Sequence, residues 1–204
     1  MISKGQDWGR RAVVPADVVV CTDDAAAGAV VAAARGRPED IAPVLLTGGD
    51  LHRTLGGGSG PTVGVGDEAT RVSCDIGEVL LDGKLRWFVA HLVIGGPWWA
   101  RPTTVVANAA FWRSANVAPR AHPGDGKLDM VEARLALRQR LLSLRRLRSG
   151  SHTPHPDIST SRWENHQLDL GPRGDRVSLD DVPVGRVDRV VVRVEPSALV
   201  VYVG

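Results

Sequence analysis

The chain has 204 residues, 43% of them hydrophobic and 24% charged, with a formal net charge of +2. That suits one large domain or two small ones around a genuine apolar core, and the charge is too mild to imply a nucleic-acid partner. Cys21 and Cys74 stand apart in apolar segments, so neither a disulfide framework nor a thiolate metal site is indicated and a reducing compartment is expected. No apolar run of about 18 residues is present, and the opening "MISKGQDWGRR" lacks an apolar signal core. A cytoplasmic location is therefore expected.

Taken in chain order, residues 16 to about 58 read as α/β. "DVVVC" (17–21) is a short continuous apolar run, as for a strand buried on both faces. "AAAGAVVAAARG" (25–36) predicts a helix, with Asp23 or Asp24 as N-cap and Gly36 near its end. "APVLLT" (42–47) predicts a second buried strand, and "GGDLHRTLGGG" (48–58) opens a short second helix. Alternation of this kind implies parallel strands with crossover helices. Strand, tight turn and small-residue helix at 16–36 also have the layout of a phosphate-binding loop. The turn itself, "CTDDA", carries two carboxylates and none of the glycines such a loop uses.

After residue 58 the texture becomes antiparallel. "RVSCDIGEVLLDGKLRWFVAHLVIGG" (71–96) reads as a hairpin turning at Asp82-Gly83. "TTVVANAAFWRS" (103–114) and "LDMVEARL" (128–135) read as strands, and "LALRQRLLSLRRLR" (135–148) as a basic helix. Strands resume with "TSRWENHQLDL" (160–170), "RVSL" (176–179), "RVDRVVVRVEP" (186–196) and "ALVVYV" (198–203). The expected architecture is α/β plus all-β: an α/β layer over 1–66, then an antiparallel β-sandwich with one basic helix over 67–204.

Three segments, and the C-terminal half with them, carry a resemblance. In "VVANAAFWRSANVAPRAHPGDGKLDMVEA" (105–133), Asn108, Pro119, Ala121, Asp125, Gly126, Leu128 and Asp129 stand at the spacing of a motif of the diacylglycerol kinase-like lipid kinases. "LTGGDLHRTLGG" (46–57) resembles that family's "GTxNDxAxxLG", with Gly49 where asparagine is usual. "CDIGEVLLDGKLRWFVAHLVIGG" and the C-terminal "VSLDDVPVG…VVVRVEPSALVVYV" are similar to the hairpin that opens the family's second domain and to its ending.

The resemblance implies a truncated α/β nucleotide-binding layer leading into the sandwich. It implies ATP and Mg²⁺ as cofactors and a lipid hydroxyl as phosphoryl acceptor. Asp180 and Asp23 would be catalytic, and Thr22, Thr47, Gly48 and Asp50 would lie on the nucleotide side. Asp125 and Asp129 would help hold a structural cation. The departures cluster at the site. "CTDDA" stands where the family has "GGDGT", aligning Asp23 with its aspartate and Thr22 and Asp24 with glycines. "DDV" replaces "DGE", keeping Asp180 but placing Val182 where an acid belongs. Relatives also carry a further strand–helix–strand unit ahead of this loop and an insert where only "PWWARP" stands here.

Each candidate has a plainer alternative. Asp180 is either a general base or part of a polar turn, and Asp23 either a site carboxylate or an N-cap. Thr47, Gly48 and Asp50 either meet a nucleotide or cap a helix. Asp125 and Asp129 either ligate a cation or belong to a rigid Pro-Gly turn. Five arginines and no acid at 135–148 make a surface for anionic lipid headgroups, or a solvated helix face. Trp98 and Trp99 form an interfacial wedge or close the sandwich end, and His152 and His155 form a metal pair or a plain loop. Two functions follow: a divergent lipid kinase, or a catalytically silent lipid- or partner-binding module. A sheet with so few parallel strands also leaves an open edge, so self-association or a partner chain is expected.

Overall fold

The computed structural model describes residues 9–37, 40–58, 63–96, 103–113, 115–133 and 157–204. The basic segment 135–148, Trp98, Trp99, His152 and His155 lie outside the described residues.

The fold hangs on two long strands. β4 (Glu68–Leu81) and β15 (Arg189–Val203) pair antiparallel along nearly their whole length. Toward the chain's C-terminal end they are flanked by β1 (Arg10–Val13), β3 (Val44–Leu46) and β2 (Val19–Cys21), in the order β1-β4-β15-β3-β2. β3 runs parallel to β15, and β2 parallel to β3. At the other end of the long pair, β5 (Lys84–Phe88) joins β4 and β12 (Asn165–Asp169) joins β15. One sheet thus serves both the α/β layer and the sandwich.

The expected β4–β5 hairpin forms, with Asp82 and Gly83 at φ 46° and 81°, the left-handed pair such a two-residue turn needs. "RVDRVVVRVEP" and "ALVVYV" are one strand rather than two. The register slips between Glu195 and Leu199, where Ser197 has φ 53°. Asp75 holds that bulge: its carboxylate accepts the N–H of Ser197 at 2.8 Å and of Gly126 at 2.7 Å.

The second sheet has the order β11-β10-β7-β6-β13-β14. Its strands are β6 (His91–Gly95), β7 (Thr103–Ala107), β10 (Leu128–Ala133), β11 (Ile158–Trp163), β13 (Asp175–Leu179) and β14 (Val182–Val187). Val79, Phe88, Leu92, Val106, Leu128 and Val192 fill the space between the two sheets. A short pair, β8 (Phe111–Trp112) and β9 (Ala115–Asn116), follows β7.

α1 (Asp24–Arg35) and α2 (Asp50–Thr54) cover the α/β end, burying Ala27, Val31 and Leu51 on Cys21, Leu46, Cys74 and Leu199. Other expectations need correcting: "TSRWENHQLDL" is not one strand but two, β11 and β12, which belong to different sheets. β2 is not buried on both faces: it is an edge strand, with Val19 38% and Val20 56% exposed. β1 and β14 were not anticipated as strands. Pro183 marks β14 as an edge, the place a sheet accepts a residue with no N–H.

Candidate functional site

The α/β end and the second sheet meet at a cavity of about 380 Å³ whose lining includes Asp23, Asp24, Asp50, His91, Arg113 and Asp180. Each arrives on a chain reversal: Asp23 and Asp24 after β2, Asp50 after β3, Asp180 between β13 and β14. The topology therefore brings Asp23, Asp50 and Asp180 together, though they lie far apart in sequence. Thr22, Thr47 and Gly48 belong to the same two turns without lining the cavity. The Thr47 N–H continues the β2–β3 ladder by donating to the Cys21 carbonyl at 3.0 Å. Gly48 packs so closely on Thr22 that a Cβ there would lie 2.5 Å from the Thr22 carbonyl oxygen.

Asp23 is the N-cap of α1, its carboxylate accepting the Ala26 N–H at 2.8 Å. Asp24 does something different. It is buried, and its two oxygens accept the N–H groups of Asp50 at 2.6 Å and Leu51 at 3.1 Å, the first donors of α2. A carboxylate from one turn thereby satisfies the orphan donors of the other. Burial raises Asp24 to about 6 against the pull of those two donors.

Asp180 is 7% exposed and sits at φ 47°, a conformation aspartate tolerates better than most residues. Its Oδ2 accepts the Val89 N–H at 2.9 Å, and its Oδ1 accepts those of Ala90 at 2.8 Å and His91 at 3.0 Å. The carboxylate therefore holds the turn between β5 and β6. It also lies against α1, where a Cβ on Gly28 would come within 2.9 Å of Asp180 Oδ2. Burial pushes Asp180 up to about 7, opposed by the three backbone donors.

Asp50 accepts the Arg113 N–H at 2.8 Å and is raised by burial to about 7. His91 Nδ1 lies 3.9 Å from Asp50 Oδ2, but burial lowers the imidazole to about 4. The contact is not an ion pair, because at neutral pH His91 is uncharged. Its Nε2 faces the Ala109 carbonyl at 3.1 Å, which makes that nitrogen the protonated donor.

Arg113 and Asp181 were not picked out from the sequence. Arg113 has φ 56°, and its guanidinium reaches both oxygens of Asp181 at 3.3 Å, while Trp112 Nε1 donates to Asp181 at 3.1 Å. The available signal was positional. Arg113 stands in the stretch where the resembling family has a glycine-rich turn, and Asp181 takes the middle place of "DGE".

Asp125 and Asp129 lie elsewhere, beside the bulge of β15. Arg162 on β11 stands directly across from Asp129 and donates its Nε to Asp129 Oδ2 at 3.1 Å and its Nη2 to Asp125 Oδ2. Among the described residues, no group of three or more His, Cys, Asp or Glu side chains is arranged to hold a metal ion.

The YegS C-terminal NAD kinase beta sandwich-like domain matches residues 81–203. Three solved structures from Bacillus anthracis strain Sterne resemble the whole fold. One, described as a diacylglycerol kinase, is 13% identical with a TM-score of 0.60, over 92% of this chain and 76% of its own. Two that carry that assignment provisionally are 10% and 11% identical, with TM-scores of 0.68 and 0.63, over 92% of this chain and 78% of theirs. At such identities the likeness is one of fold. No curated protein matches the sequence.

Proposed function

The chain belongs to the family of the YegS C-terminal NAD kinase beta sandwich-like domain, and its fold is that of the diacylglycerol kinase structures; from that premise we propose that it is a member without phosphoryl transfer, acting as a lipid- or partner-binding module. The observation that carries this reading is Asp24. A polyphosphate site between two such turns would need free backbone N–H groups and glycine-lined space. Here the N–H groups of Asp50 and Leu51 are taken by Asp24. The space a Cβ on Gly49 would claim is filled by Asp24 Oδ1, at 2.5 Å. The internal carboxylate occupies the place an anionic ligand would want. Arg113, the cation in the cavity lining, is already paired to Asp181, so the cavity offers an anion no uncommitted positive charge. The residues present do not fit free ATP, and among the described residues no group of three or more His, Cys, Asp or Glu side chains is arranged to hold Mg²⁺.

Calorimetric titration with ATP, in EDTA and in Mg²⁺, tests this directly. We expect no heat up to millimolar nucleotide. Micromolar binding that Asp23→Ala weakens would overturn the reading. It would favour the second one, a divergent ATP- and Mg²⁺-dependent lipid kinase with Asp180 as the base, which the convergence of Asp23, Asp50 and Asp180 supports. For the binding role, the arginine-rich sequence 135–148 favours a peripheral site on anionic membrane. Co-sedimentation with phosphatidylglycerol vesicles but not with phosphatidylcholine vesicles is the expected result, and loss of that difference would leave a protein partner as the ligand.

A further inference from the structure

Away from the cavity, three acids gather around the turn that precedes β10: Asp75, Asp125 and Asp129. The resemblance implies a structural cation for this turn, and a divalent ion bound there would need several oxygens free at once. They are already committed. Asp75 gives both oxygens to the N–H groups of Gly126 and Ser197. Asp125 Oδ1 accepts the Lys127 N–H at 3.1 Å. Asp125 Oδ2 and Asp129 Oδ2 both accept from Arg162. Only Asp129 Oδ1 stands outside this set. The remaining negative charge is met by a guanidinium delivered from the facing position of β11, held in register by the β10–β11 ladder.

We infer that Arg162 is the built-in counter-ion of the 120–129 turn, in place of a metal ion, so that this part of the fold closes without any divalent cation. The Arg162 side chain, 36% exposed, spans two carboxylates on different elements, Asp125 in the turn and Asp129 in β10. It pins the turn to β11, as a bridging ion would. The inference is independent of whether the cavity binds nucleotide.

The experiment is thermal unfolding of the full chain, followed by circular dichroism in EDTA and in millimolar Ca²⁺ or Mg²⁺. The native chain should unfold at the same temperature in all three. Arg162→Gln should unfold roughly 3–8 °C lower in EDTA and regain a large part of that in Ca²⁺ or Mg²⁺, since it uncovers two adjacent carboxylates. Arg162→Lys keeps the charge and loses the fork, so it should show a smaller loss and little response to metal. A native chain that gains stability from either ion overturns the inference. So does an Arg162→Gln protein whose loss is untouched by metal. Should Arg162→Gln not fold, the native chain decides: an unfolding temperature that is the same in EDTA, Ca²⁺ and Mg²⁺ supports the inference, and a gain in either ion overturns it.

Discussion

Asp180 and Asp50 show how burial sets the behaviour of single groups here. Both are raised to about 7 from the ordinary 3.8, chiefly by burial. The folded chain thus keeps protons that the unfolded chain releases, so the stabilisation is full below about pH 4 and fades as pH rises through about 7. His91 acts oppositely, since burial lowers it to about 4 and the unfolded chain alone takes up a proton below about 6.5. Above that pH the imidazole adds no slope, and the carboxylates decide. The unfolding temperature should therefore fall between about pH 6.5 and about pH 8, and Asp50→Asn should flatten the decline. A rise across that interval would contradict the assignment. Asp180→Ala is a separate matter, because it strands the N–H groups of Val89, Ala90 and His91. A loss of about 3–5 kcal/mol in denaturant unfolding is expected, against about 1–2 kcal/mol for Asp180→Asn, which keeps one acceptor oxygen. The sequence could single out Asp180, Asp50 and Asp23 because each occupies a motif position. It offered the Asp23 cap as an alternative, but it could not say that Asp180 spends its oxygens on backbone donors, since Val89 and Ala90 have no polar side chain to announce it.

At the scale of elements, α1 repays attention at Gly28. Glycine in a helix interior ordinarily costs about 1 kcal/mol relative to alanine. Here the missing Cβ admits the Asp180 carboxyl, which would otherwise meet it at 2.9 Å. Gly28→Ala should therefore destabilise by about 1–2 kcal/mol instead of stabilising, and a higher unfolding midpoint for this variant would sink the argument. The same contact explains what could be read locally and what could not. The helix itself was plain from its alanines and from Asp23 or Asp24 as its cap, and the β4–β5 turn from Asp82-Gly83. The single long β15 was hidden by Pro196, which reads as a strand end. In the structure Pro196 falls in a bulge that Asp75 stabilises from a distant part of the chain. Nor could a four-residue run such as "RRAV" declare β1, whose strand exists because β4 is there to pair with it.

For the whole molecule, the decisive feature is how the two parallel strands attach. β3 adds to β15 and β2 adds to β3, and among the described residues no strand pairs the far side of β2. The opposite edge, β1, carries Arg10 and Arg11, charges that discourage another strand from docking. β2 is "VVC", without a charge, and its Val19 and Val20 are exposed. An uncharged apolar edge of this kind invites pairing, and the simplest occupant is β2 of a second copy, antiparallel across a two-fold axis. Because the strand is three residues long, the contact should be weak and reversible rather than obligate. Sedimentation velocity should then show a monomer–dimer equilibrium at tens of micromolar, and Val20→Lys should shift it to monomer while leaving the unfolding temperature nearly unchanged, since Val20 is 56% exposed. A native chain that stays monomeric at those concentrations would leave the edge to a different partner. A Val20→Lys protein that dimerises as before would place the interface elsewhere, and in either case the open edge would have to be guarded by something other than a second β2.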